Sequence, residues 1–207
     1  MDCPGEKEAW DILFELDSKK VTINAEALFD ARHPEYALTC FGQDIRVSLT
    51  DRTILSDSSL GRSLVNALAD YSRLSILRYL IHARNLPPSG KLVCPTELPG
   101  GGIFVKGTHV LPLERLATSF ANNRCDFATI GNSLGGSQLD YGDVSVELHP
   151  FPRVPVTLIV WSGDEEFSPN ASVLFDSHCV AHLPIDIIWS TAMMVIEMML
   201  INTGPHN

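Results

Sequence analysis

Residues 155–161 read Pro155-Val156-Thr157-Leu158-Ile159-Val160-Trp161, with scarcely a polar interruption from Val156 onward. An apolar run that does not alternate suits a strand covered on both faces. Ser162-Gly163-Asp164 then turns the chain out of it. Upstream, Val144, Val146 and Leu148 fall on one face of a neighbouring strand. Downstream, Val173-Leu174-Phe175 offers another short one. Ile45, Val47 and Leu49 alternate with Arg46 and Ser48, which predicts a half-buried hairpin after a turn at Gly42-Gln43-Asp44. Leu92-Val93 and Ile103-Phe104-Val105 are further short strand candidates.

Helical spacing surrounds these strands. Trp10, Leu13, Phe14 and Leu16 predict an amino-terminal helix over 8–16, and a second short helix is expected over 25–31. The main helical region is 60–84, as one helix or as two with starts at Ser58-Ser59 and Ser72; there Leu64, Leu68, Tyr71, Leu74, Leu77 and Ile81 recur at three or four residues. Pro87-Pro88 forbids its continuation. Leu113 to Ala121 reads as helix, and residues 131–142 as a glycine-rich loop. The last helix starts near Pro184. Its polar stripe of Asp186, Ser190, Met193 and Glu197 is narrow, so most of its circumference is expected to be buried. Asn202, Gly204 and Pro205 stop it. Strands and helices come in mixed order, which predicts an α+β fold. We expect one domain over 1–207, with a helical segment over 1–35 and a core over 36–201. Its mixed or antiparallel sheet centres on 156–161 and packs against helices near 60–85 and 184–201.

The 207 residues carry fifteen basic and twenty-five acidic side chains, a net charge of -10. Lys19-Lys20 is the longest basic run, so nucleic acid and anionic membrane surfaces are poor partners. Apolar residues make up 45% and charged residues 19%, which excludes a disordered chain. The stretch 185–201 contains Asp186 and Glu197 and reads as a buried helix rather than a membrane span. The first residues lack a basic segment followed by an apolar core, so no secretory signal is expected. The five cysteines, Cys3, Cys40, Cys94, Cys125 and Cys179, are odd in number and widely spaced. They read as reduced cytoplasmic thiols rather than a zinc or iron–sulfur set.

Gly131-Asn132-Ser133-Leu134-Gly135 matches the G-x-S-x-G nucleophile pattern. Asp164 or Asp176, followed by His178 or His182, would complete a hydrolase order. The glycines after Ser133 are a poor helix start, so a small serine hydrolase at Ser133 is the alternative reading and not the first. His178 and His182, four apart, read as loop histidines, and His82 as packed and hydrogen-bonded. The first reading is a ligand pocket. Glycines at Gly100, Gly101, Gly135 and Gly136 would permit close backbone approach. Asp164 and Glu166 would anchor a ligand, and Phe104 and Phe167 would supply apolar walls. These three loops are expected around one cleft.

Several phrases together carry a resemblance. They are Ile76-Leu77-Arg78-Tyr79-Leu80-Ile81-His82-Ala83, Pro88-Ser89-Gly90-Lys91-Leu92-Val93 and Glu97-Leu98-Pro99-Gly100-Gly101. Further on come Pro152-Arg153-Val154-Pro155, Trp161-Ser162-Gly163-Asp164-Glu165-Glu166-Phe167 and Leu174-Phe175-Asp176. From about residue 36 to 200 the chain resembles domain-of-unknown-function family 3786 of anaerobic bacteria and archaea. It departs at Arg78-Tyr79, where the family pattern has an apolar residue and then His-Tyr. Members stand beside iron–sulfur modules of the kind used with corrinoid methyl-transfer proteins, and are sometimes fused to them. The resemblance therefore implies an accessory or cofactor-binding module in anaerobic one-carbon or redox metabolism. Its iron–sulfur or corrinoid group would come from a partner or sit in an apolar cleft here.

Overall fold

The structure is a computed structural model and describes residues 4–104 and 109–203. In chain order its helices are α1 (Pro4–Glu15), α2 (Ser18–Ala25), α3 (Ser59–Arg62), α4 (Ala69–His82), α5 (Leu113–Phe120), α6 (Arg124–Ser133), α7 (Cys179–His182) and α8 (Ile185–Ile201). Its strands are β1 (Leu28–Asp30), β2 (Glu35–Cys40), β3 (Gln43–Ser48), β4 (Thr53–Leu55), β5 (Leu92–Val93), β6 (Ser137–Leu139), β7 (Val144–Phe151), β8 (Val154–Trp161) and β9 (Asn170–Asp176). Cys3, Val105, Gly204 and Pro205 lie outside the described residues.

The fold is α+β, with two antiparallel sheets in the orders β1-β2-β3-β4 and β5-β9-β8-β7-β6. The apolar run is β8, the middle strand of the larger sheet, and Val154 to Val160 are all buried. Its flanking strands β7 and β9 bury alternate residues more loosely, as strands nearer an edge should. Helix α4 packs on α1 and α8, while α5 lies across β9 and β8. The buried apolar side chains form one contiguous core through both sheets and the helices. Among the described residues no helix is long and apolar enough to cross a membrane.

The small sheet joins the large one at a single corner. Phe41 and Gly42 form the two-residue turn between β2 and β3, both with positive φ, 51° and 68°. That is the turn hand that follows the twist of a hairpin. The Phe41 amide donates to the His149 carbonyl at 2.8 Å, where the β7–β8 register shifts between Leu148 and Phe151. There Gly42 meets Gly135, and a Cβ on Gly135 would stand 3.0 Å from the Gly42 Cα.

Four expectations change. Residues 25–31 are not a helix: the helix is α2, one element earlier, and residues 28–30 are the edge strand β1. Asp17 caps α2 by accepting from the Lys19 amide at 3.0 Å. Glu26 ends it in the left-handed region at φ 51°. The amino-terminal segment is thus not wholly helical. Ile103 and Phe104 belong to a 3₁₀ turn over Gly101–Phe104 rather than a strand. Residues 131–133 end helix α6, whose Phe127, Ile130 and Gly131 face the core. Beyond it, 137–139 form β6. The long helical region takes the two-helix form, α3 and α4 joined by a π-helical turn, Ser63–Ala67. The β2–β3 turn falls one residue earlier than its expected place.

Candidate functional site

The predicted site residues occupy three neighbourhoods. Asp164 folds its own loop: its Oδ1 accepts from the amides of Glu166 at 2.8 Å and Phe167 at 2.9 Å. Its amide donates to the Phe167 carbonyl. Glu166 is exposed, and so is Phe167 at 68%. The open hollow beside them is lined by Asn122 and residues 162–169. Gly135 stacks against Gly42, and Gly136 against Leu148 and the Glu147 carbonyl. Gly100 lies over Ile185, and Gly101 against the Pro95 carbonyl. Phe104 is buried, 6.0 Å from the Phe175 ring. Ser137, just after Gly136, pairs with Glu147 and so stands level with Thr157. The 162–169 loop leaves the sheet from Trp161, roughly 13 Å further along β8. The Gly135–Gly136 turn and the Asp164 loop therefore stand at different levels of the sheet. Phe104 is a core side chain rather than the wall of an open cleft.

Two other phrases meet and hold the fold. The Asp176 carboxylate is 1% exposed and accepts four hydrogen bonds. They come from the Ser89 amide (3.0 Å), Ser89 Oγ (2.9 Å), the Gly90 amide (2.8 Å) and the His178 amide (2.8 Å). Burial pushes its pKa up, but these bonds outweigh burial and hold it below the ordinary carboxylate value. Arg153, in the β7–β8 turn, is likewise buried. Its guanidinium donates to the carbonyls of Asn24 (2.7 Å) and Ile23 (3.2 Å) and to Asn85 Oδ1 (2.9 Å). It also pairs with Glu26 at 3.2 Å. A cation on the last carbonyls of α2 is the favourable sign for a helix C-terminus. Tyr79 stacks on Phe151 at 4.5 Å, donates to the Ala25 carbonyl, and accepts from the Arg153 amide.

Behind this clasp lies His182, fully buried. Its Nδ1 accepts from the Arg84 amide at 3.3 Å, so the proton sits on Nε2, which has no partner among the described residues. Burial, then Arg153 and His178, pushes its pKa down to about 4. His178 Nδ1 lies 2.9 Å from the Pro87 carbonyl. Burial pushes the Cys179 thiol up to about 12, which makes it inert. Ser133 is the last residue of α6 and donates its hydroxyl to the Ile130 carbonyl at 2.7 Å. Gly131 lies inside that helix, where a Cβ would come within 2.6 Å of Val146. The pattern is thus a helix end packed on β7, neither a loose loop nor a strand-to-helix elbow.

One groove gathers polar side chains, four of which have no side-chain hydrogen bond or ion pair among the described residues. It runs between α2 and the carboxyl end of α4, about 160 Å³, and is walled by Leu16, Val21, Leu80 and Ile81. Lys20, Asn24, His82 and Arg84 line it, with Asp17, whose Oδ1 is engaged by the Lys19 amide. The expectation for His82 changes here: it is exposed on the groove and makes no side-chain hydrogen bond among the described residues. Burial and the Arg78 and Arg84 guanidiniums hold its pKa below the usual histidine value, against the pull of Asp186. Lys20 belongs to the one adjacent pair of basic residues in the chain. That pair was the visible sign of the groove in the sequence, and nothing there joined it to Arg84.

The described residues contain no group of three or more His, Cys, Asp or Glu placed to hold a metal ion. Cys40 and Cys179 are buried, and Cys94 and Cys125 exposed, all four free. They do not fit an iron–sulfur cluster. A cavity of about 150 Å³ takes a molecule the size of benzene, so the groove does not fit a corrinoid macrocycle. The model of a family described as a domain of unknown function (DUF3786) matches residues 17–198. That span takes in α2, which the resemblance read from about residue 36 left out. No curated protein and no solved structure matches the chain.

Proposed function

The chain belongs to the DUF3786 family, and from that premise we propose that it is an accessory module that binds a small ligand. Its binding surface is the groove between α2 and α4. The observation that carries this reading is the convergence of Lys20, Asn24, His82 and Arg84 on one cavity, with no side-chain hydrogen bond or ion pair to any of the four among the described residues. Elsewhere the buried charges of Asp176 and Arg153 are fully engaged in holding loops. In this reading the module works in a reducing cytoplasm, beside an iron–sulfur or corrinoid protein of anaerobic one-carbon or redox metabolism. The free thiols support the compartment, and in this reading the partner holds the cofactor.

Native mass spectrometry of protein purified without oxygen tests this, together with its absorption spectrum. The expected result is a small non-covalent adduct that is released on denaturation, and no visible band. Leu16→Trp, at the exposed edge of the groove, should abolish the adduct whatever the ligand's charge. An adduct that survives Leu16→Trp would overturn the groove. A visible band carried by the isolated chain would overturn the partner-held cofactor.

A further inference from the structure

The geometry points to a small organic oxyanion as the ligand of this groove, a carboxylate or phosphoryl head with a short apolar tail. This rests on the groove being the binding surface. Four residues with nitrogen-bearing side chains line the cavity, Lys20 and Asn24 from α2, His82 at the end of α4 and Arg84 just beyond it, against one carboxylate, Asp17. Neither Lys20 nor Arg84 has an ion pair or side-chain hydrogen bond among the described residues. Arg46, Arg52, Arg73, Arg78, Arg115, Arg124 and Arg153 each have a carboxylate, whereas Lys7, Lys19, Arg32, Arg62 and Lys91 have no ion pair among the described residues either. What sets Lys20 and Arg84 apart is that both line one hollow, in a chain of net charge -10. Lysine and arginine are the groups that hold oxyanions, arginine through a planar fork and lysine as a point charge. Leu16, Val21, Leu80 and Ile81 add apolar lining, which suits a few methylenes. The volume of about 160 Å³ holds a group of about the size of benzene.

A rival account is that Lys20 and Arg84 only complement the negative end of α4. It predicts loss of stability without loss of binding, so the two accounts separate in one experiment. The full chain is titrated with inorganic phosphate and, separately, with butyrate, following the amide resonances of Asn24 and Ala83. At least one anion should give a saturable shift confined to the groove. Lys20→Gln and Arg84→Gln should each weaken it about tenfold, the usual worth of a charged hydrogen bond, and leave the melting temperature within about 3 °C. Saturation by phosphate alone assigns a phosphoryl head, and by butyrate alone a carboxylate. Saturation by neither, or binding unchanged in the double variant, overturns the proposal. If Arg84→Gln does not fold, raising salt from about 50 to about 500 mM on the unmodified chain replaces it: binding through exposed cations must weaken, and binding that does not overturns the proposal. An adduct that Leu16→Trp removes while Lys20→Gln and Arg84→Gln retain it would leave the groove standing and remove the oxyanion.

Discussion

Arg153 and Arg84 carry the same charge, and both reach the neighbourhood of α2. Arg153 is buried, and its guanidinium meets two carbonyls, an amide oxygen and a carboxylate. Arg84 is exposed; its backbone amide is held by His182, while the residue lines the groove and its guanidinium has no partner among the described residues. The same contrast separates Asp176, which takes three donors from the remote Ser89–Gly90 loop and one from its own, from Asp164, which caps only its own loop. A polar side chain surrounded by protein partners is holding the fold, and one with none is available to a ligand. The phrases that carry the family resemblance fall mostly in the first class.

Substitution should sort the two classes. Asp176→Ala should have the largest effect, about 4 kcal/mol in urea unfolding, because it removes a buried carboxylate that accepts four hydrogen bonds and ties the Ser89–Gly90 loop to the end of β9. A loss below about 1 kcal/mol would mean that the clasp is not structural.

Acid should act next, through His182. Its folded pKa of about 4 lies below the unfolded value near 6.5. Between these the unfolded chain binds a proton that the native chain does not, so stability falls as pH drops from 6.5 to 4 and is fully present above 6.5. The shift corresponds to about 3 kcal/mol. Unfolding curves across that window should flatten in His182→Asn, and a slope equal to that of the parent would remove the assignment. Arg153→Lys should cost about 2 kcal/mol, since an ammonium cannot reproduce the fork that spans Asn24 and Asn85.

The groove stands at the small end of the stability scale. Lys20→Gln and Arg84→Gln should each change unfolding free energy by no more than about 0.5 kcal/mol. Ser133→Ala should be as mild, and a fluorophosphonate probe should leave Ser133 unlabelled. Labelling lost in Ser133→Ala would return the hydrolase reading to the front.

What the sequence made legible was local. Val156 to Trp161 declares a doubly covered strand by itself, and Ile45, Val47 and Leu49 declare a hairpin face. Helix α8 is legible from its narrow polar stripe. The segment 25–31 misled because Leu28 and Phe29 fit helical spacing, while their pairing with β2 depends on a partner strand. Helix α6 was hidden by Gly131, whose poor intrinsic propensity is overridden by packing against Val146. The clasp and the groove were not legible, because each is assembled across the fold. Asp176 gives no sign that Ser89 will meet it, and Lys20 none that Arg84 will.

The joint between the sheets bears on the order of folding. The β2–β3 hairpin closes through near neighbours, but Gly42 and Gly135 are far apart along the chain and meet only when both sheets exist. Loop closure of that length comes late in assembly. A side chain forced into the joint should therefore leave the refolding arm of a chevron nearly unchanged and steepen escape from the native state. Gly135→Ala would show this as faster unfolding at an unaltered folding rate, so that the corner where the sheets touch limits the lifetime of the native state rather than the speed of its formation.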